Sequence, residues 1–259
     1  MTDALQKIHS NDAFDALAAS LDQTDTRVKK RVISSVGQFY RTEARDMLLA
    51  IARDESNSGL AAAAISNLGR YHDKDIPPIL LDALSSRSYR DIRATAAVSS
   101  FNKLKDVAYV PALIELATTR QNDYPSREFG SVLSTLAVCA KHMDDTTDAR
   151  DTLLSLINHP KRSLRISAIR ALGVLGDKKA AAVLETLAFK QRQVNGKTDP
   201  VQRAAQTALQ QVQKNMPLAA PEEVVELRKN VKTLEQNNAK LEDKLNDLES
   251  RLDALKSAD

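Results

Sequence analysis

The sequence predicts an all-α fold, an α-solenoid of about six helix pairs followed by one coiled-coil helix. Three observations predict it: a segment recurs at nearly constant spacing, the composition is typical of helices, and the C-terminal residues follow a heptad pattern. A repeat of this length folds as one supersecondary unit that buries its apolar face against its neighbours. We therefore expect the fold to provide a binding surface and not a catalytic pocket.

The recurring segment is clearest at residues His159–Gly173. Fainter copies occur along the chain, and we mark each copy by the counterpart of Leu172. These reference positions are Val36, Leu68, Ser100, Leu136, Leu172 and Leu209, and they are separated by 32, 32, 36, 36 and 37 residues.

Each repeat is predicted to contain two helices. In the fifth repeat Pro160 ends the first helix, because the residue before a proline disfavours the α conformation. Gly173 and Gly176 are expected to end the second helix, and Asp177 is expected to cap the next one. The six predicted pairs are Asp12–Leu21 with Thr26–Phe39, Thr42–Arg53 with Ser58–Arg70, Asp75–Ser85 with Tyr89–Leu104, Val107–Thr119 with Pro125–His142, Thr147–Asn158 with Lys161–Leu175, and Lys178–Gln193 with Asp199–Lys214.

The composition agrees with this fold and bounds the chemistry. Aromatic residues make up 4% of the 259 residues, Trp is absent, and there are seven glycines and eight prolines, which is typical of a helical chain. The single cysteine, Cys139, lies in an apolar run, and we interpret it as a buried structural thiol and not a nucleophile. No run of about 18 apolar residues is present and no secretory signal opens the chain, so we expect a cytoplasmic protein without membrane contact.

The pattern changes after the proline-bounded linker 216–221, and we therefore assign residues 1–215 to the solenoid and 222–257 to a parallel coiled coil. Apolar residues there alternate by three and four, and a single Asn at an a position favours a parallel two-stranded coiled coil. We expect a homodimer; the alternatives are one solvated helix or a helix packed on the solenoid. The predicted interface is formed by Val224, Leu227, Val231, Leu234, Asn238, Leu241, Leu245, Leu248, Leu252 and Leu255.

No motif predicts catalysis, a metal site or a cofactor. The four histidines are far apart in sequence, and no phosphate-binding glycine loop or nucleophile elbow is present. An acidic cluster at Asp144, Asp145 and Asp148 is explained more simply by a helix N-terminus than by calcium. We therefore expect a protein that is not an enzyme.

Basic residues open the second helices and form the remaining candidate site. Stacking would align them along one edge, either as an electropositive groove for a partner or as ion pairs that hold the repeats in register, and we favour the second interpretation. The absence of Trp disfavours binding of single-stranded nucleic acid. This predicted basic set comprises Arg27, Lys30, Arg31, Arg90, Arg93, Arg127, Arg162, Arg165 and Arg203.

Residues Asn158–Asp177 resemble the HEAT-like repeat of the phycobilisome-lyase type. His159 stands where that repeat has Asp, and Arg165 lies near its basic position. The resemblance implies a right-handed α-solenoid that binds proteins. The matching residues are Pro160, Ala168, Ala171, Leu172, Gly173, Leu175, Gly176 and Asp177.

The order of features also resembles the C-terminal non-catalytic region of bacterial zinc aminopeptidases of the aminopeptidase N family. That order runs from Ser88–Arg93 through the insertion Asn122–Arg127 to the fifth repeat and the zipper. The zinc motif His-Glu-x-x-His of that family is missing, so the resemblance implies an accessory region without the enzyme.

These patterns favour a non-catalytic scaffold that binds a protein or peptide and dimerises through the zipper. The alternatives are an accessory region of a zinc aminopeptidase and a nucleic-acid-binding HEAT solenoid. A lyase that attaches a tetrapyrrole has only the name of the repeat in its favour.

Overall fold

The computed structural model describes residues 10–189, 193–194 and 197–214, and it contains the predicted helix pairs. The predicted coiled coil and its interface lie outside these residues. The first helices are α1 (Asn11–Ala19), α3 (Thr42–Asp54), α5 (Ile76–Ser85), α7 (Val110–Thr119), α9 (Thr147–Ser155) and α11 (Ala181–Phe189). The second helices are α2 (Thr26–Val36), α4 (Ser58–Leu68), α6 (Ile92–Leu104), α8 (Ser126–Ala140), α10 (Arg162–Leu175) and α12 (Pro200–Lys214). The prediction of an all-α solenoid is thus confirmed.

Local sequence explains where several of these helices begin. Asp25 caps α2 by accepting hydrogen bonds from the backbone N–H groups of Arg27 (2.8 Å) and Val28 (3.4 Å). Asn57 caps α4 in the same way through Gly59 and Leu60. These side chains satisfy N–H groups that have no partner inside the first turn of a helix.

Two details of the helix-end prediction are wrong. Gly173 lies inside α10 and does not end it, whereas Gly176 ends it in the left-handed conformation with φ 73°. The sixth first helix was predicted to reach Gln193, but α11 ends at Phe189, and β1 (Gln193–Val194) pairs with β2 (Lys197–Thr198) in antiparallel register. The sequence between these strands, Asn195-Gly196, is a strong short-range hairpin signal that the helix prediction overlooked.

Neighbouring second helices pack closely and form one continuous row, from α2 through α4, α6, α8 and α10 to α12. Small residues allow this approach: a Cβ added at Gly69 would lie 2.6 Å from the Cα of Ser100, and one at Gly173 would lie 2.7 Å from the Cα of Ala208. The position of Gly173 therefore requires glycine, because α10 and α12 pack too closely there for a side chain to fit.

The apolar core follows this row. Its largest cluster extends from the first repeat to α12 and includes the fully buried rings of Phe101 and Phe129. A smaller cluster joins the first two repeats, where the rings of Phe14 and Phe39 meet edge to face with centroids 5.5 Å apart. None of the described helices combines the length and the hydropathy that a membrane span requires.

The close approach of α10 and α12 gives the first test. Gly173→Ala is expected to lower the free energy of unfolding by about 1–2 kcal/mol, because overpacking outweighs the gain in helix propensity. Gly59→Ala is the matched control, since its Cβ would meet only the side-chain oxygen of Asn57 at 3.2 Å. Urea denaturation of the full chain measures both; equal stability of the two variants would contradict the packing account.

Candidate protein-binding surface

The first helices form one layer, which is mostly acidic, and the second helices form another, which is mostly basic. The six second helices carry twelve basic residues and one acidic residue, Glu128, whereas the six first helices carry ten acidic and three basic residues. We call the solvent-exposed side of the second helices the second-helix surface. A surface dominated by one sign of charge attracts partners of the opposite sign.

The predicted basic set occupies two kinds of position. Most members are exposed, and among the described residues Lys30, Arg90, Arg127, Arg162 and Arg203 form no ion pair. Arg31 is also exposed, while Arg27 lies 3.7 Å from Asp25 in its own helix cap. Lys30, Arg90, Arg127, Arg162 and Arg203 thus belong to the surface and form no ion pair between repeats in the described part of the chain.

Other basic residues at the starts of the second helices join neighbouring repeats. The ammonium of Lys29 lies 3.0 Å from the carboxylate of Glu55, and Arg93 donates to the backbone carbonyl of Ala52 at 2.9 Å. Arg165 holds the position equivalent to Arg93, seven residues before its reference position, and is half-buried with its Nε outside any hydrogen bond of the described residues. Lys29, which also belongs to the basic residues that begin the second helices, and Arg93 thus each contact an adjacent repeat.

Basic residues are most frequent at the two ends of the cationic surface. At one end α2 carries four basic residues; at the other, α10 carries three and α12 two. Between them α4 has no charged residue, α6 carries Arg93 and Lys103, and in α8 Arg127 is followed by Glu128. The predicted alignment is consequently interrupted at α4.

Ion pairs that sequence reasoning missed connect first helices to turns of the same or the next repeat. Arg45 in α3 pairs with Asp73, and Arg150 in α9 pairs with Asp177 at 3.1 Å. Although burial opposes ionisation, hydrogen bonds from the backbone of Lys179, from Thr146 and from Arg150 lower the pKa of Asp177. The recurring Arg and Asp, 27 or 28 residues apart, were the available signal.

Arg120 joins the loop before α6 in the third repeat to the longer loop of the fourth repeat. Its guanidinium contacts Asp91 at 3.0 Å and Asp123 at 3.2 Å, and it donates to the carbonyl of Leu84 at 2.8 Å. Asp91 and its neighbour Arg90 have positive φ values of 50° and 54°. Residues other than glycine adopt this conformation at a cost, so surrounding contacts hold the loop in place.

Cys139 and Asp145 of the acidic cluster contribute to the fold and not to a chemical site. Cys139 is fully buried, its thiol lies 3.6 Å from the carbonyl oxygen of Phe101, and burial raises its pKa to about 12. Such a thiol is poorly reactive. Asp145 accepts a hydrogen bond from the backbone N–H of Thr147 at the start of α9, and hydrogen bonds from Thr147 lower its pKa.

The stacked helix pairs define an α-solenoid repeat protein. The family model described as HEAT repeats matches residues 1–69, 46–134 and 126–210, so the chain belongs to the HEAT repeat family. A comparison with curated proteins gives no match.

Two solved structures match this chain in a structural comparison. One is the complex of CpcE and CpcF of phycocyanin lyase from Nostoc sp. PCC7120, with a TM-score of 0.53 and 22% identity over 74% of each chain. The other is human deoxyhypusine hydroxylase in complex with glycerol, with a TM-score of 0.40 and 17% identity over 83% of this chain and 78% of that one. At 22% identity the likeness to the CpcE and CpcF complex concerns the fold alone.

The Arg120 contacts give the second test. Arg120→Met leaves the carboxylate of Asp91, only 9% exposed, without its partner, and we expect the free energy of unfolding to fall by about 3 kcal/mol. Arg87→Met is the control, because Arg87 pairs with Asp123 but is 70% exposed; its expected cost is below about 1 kcal/mol. Equal costs in urea denaturation would refute a supporting role for Arg120.

Proposed function

We propose that this chain is a non-catalytic scaffold that binds a protein or peptide partner on the second-helix surface. The observation that carries the proposal is the separation of charge between the two layers. Like charges in one row repel each other and weaken the fold, so a basic row is best explained by an acidic partner. Membership in the HEAT repeat family supports a role in protein interaction.

The two cationic ends favour a protein over nucleic acid. Duplex DNA carries a phosphate charge about every 1.7 Å along its axis, and a continuous polyanion matches a continuous basic track. Here α4, which has no charged side chain, interrupts the track. A protein segment with separate acidic patches fits this distribution better.

The scaffold is further proposed to form a parallel homodimer through residues 222–257. The heptad pattern with Asn238 at an a position supports this assignment. A dimer would present two solenoids to one partner and raise apparent affinity for a repeated target through effective concentration.

A second candidate function is the accessory region of a zinc aminopeptidase. Two observations support it. One is the order of sequence features, and the other is the ion pair between Arg120 and Asp91, which connects the loops of the third and fourth repeats. Isolation of the full chain in a stoichiometric complex with a peptidase that contains His-Glu-x-x-His would favour this candidate over a free-standing scaffold.

Binding on the second-helix surface is tested by charge reversal. Arg170→Glu on α10 is expected to weaken binding of a labelled peptide of alternating Glu and Gly by about fivefold. Arg53→Glu on α3 is the matched control, since both arginines are exposed helix residues without an ion pair in the described part of the chain. Fluorescence anisotropy measures both; equal weakening by the two variants, or binding that Arg170→Glu leaves unchanged, would overturn the assignment.

Dimerisation is tested at Asn238. Asn238→Leu is expected to raise the melting temperature and to relax the oligomeric state, because the buried amide costs stability but specifies two strands. The control is Gln236→Leu at a solvent-facing f position. Light scattering coupled to size exclusion gives the stoichiometry; a monomeric parent chain, or no change in stoichiometry and melting, would refute the a-position assignment.

A further inference from the structure

Arg70 and Lys103 bring two positive charges together in the middle of the second-helix surface. Lys103, near the end of α6, donates from its ammonium to the carbonyl of Ser66 in α4, and Arg70, just after α4, donates to Gln38. Burial of the ammonium, and then the charge of Arg70, lower the pKa of Lys103. No carboxylate among the described residues pairs with either side chain.

A polar groove of about 350 Å³ begins at Lys103 and runs between α6 and α8. No acidic residue of the described ranges lines it. The hydroxyl of Thr95 is buried there and forms no hydrogen bond with the described residues. Its other hydroxyl side chains are those of Ser99, Ser131, Ser134 and Thr135.

This arrangement is suited to an acidic protein segment. A carboxylate between the two cations would relieve their repulsion and accept charge-assisted hydrogen bonds. The exposed hydroxyl groups of Ser99, Ser131 and Ser134 both donate and accept, so they can pair with the N–H and C=O groups of an extended peptide. The unpaired hydroxyl of Thr95 would gain a partner that the free protein does not provide.

We propose that Arg70 and Lys103 bind a Glu or Asp side chain of a partner protein, and that the groove between α6 and α8 holds the adjoining peptide backbone. The inference rests on the proposed function, and it identifies Arg70 and Lys103 as the residues that contact the partner at the centre of the second-helix surface. A neutral groove beside one pair of cations favours a single anchoring carboxylate over a phosphate polymer, whose charges would continue along the groove.

The test uses the full chain and the labelled peptide of alternating Glu and Gly. The double variant Arg70→Gln/Lys103→Gln is expected to weaken binding about tenfold. The matched control is Arg53→Gln/Lys74→Gln, which removes the same charges from exposed positions in α3 and before α5. Loss that is equal in both double variants would overturn the site, because net charge alone would explain it.

Thr95→Val separates binding from folding. Removing a buried hydroxyl without a partner should leave the melting temperature unchanged or raised, while peptide binding weakens about threefold. Unchanged binding in this variant would overturn the groove as the peptide site.

Two further outcomes distinguish a failure of this site from a failure of the proposed function or of the partner class. If Arg170→Glu weakens binding but Arg70→Gln/Lys103→Gln does not, the scaffold function stands and this anchor fails. If a DNA duplex binds more tightly than the peptide and depends on the same two residues, the acidic protein segment is the wrong partner.

Discussion

The close approach of neighbouring second helices is the constraint on which the rest of the structure depends. At three contacts a glycine one residue after a reference position faces a residue of the next repeat: Gly37 faces Asn67, Gly69 faces Ser100 and Gly173 faces Ala208. The repeat period thus places the same contact at the first, second and fifth junctions between repeats. Neighbouring first helices pack less closely than the second helices do. The second helices therefore form the continuous row that carries the surface chemistry.

The division of charge between first and second helices follows from this stacking. The like charges that the stacking brings together also destabilise it. Parallel placement of similar helices puts equivalent side chains next to each other, and basic residues on adjacent helices then repel. Part of that repulsion is relieved within the fold, since Lys29 and Arg93 reach Glu55 and the carbonyl of Ala52. Arg70 and Lys103 have no carboxylate partner in the described part of the chain. Their retention without one is the physical basis for assigning an acidic partner.

The sequence predicted the repeats well because helical periodicity, proline and capping residues act locally. The starts of α2, α3 and α4 agree with the predicted residues, and the other ends of these helices shift by one to three positions. Gly173 was misassigned because a glycine that ends a helix and one that admits a neighbouring helix have the same local signature. The difference lies in Ala208, which is far along the chain and contacts it only after folding.

The candidate site was predicted less completely, for the same reason. The basic set was chosen at the starts of second helices, whereas Arg70 and Lys103 lie two and three residues beyond their reference positions, Leu68 and Ser100. Their proximity depends on how α4 packs against α6, which local sequence does not specify. Amide hydrogen exchange of the full chain with and without the Glu-Gly peptide tests the central claim most directly. The account predicts slower exchange in α6 and α8 and unchanged exchange in the first helices; protection confined to the first helices would contradict it.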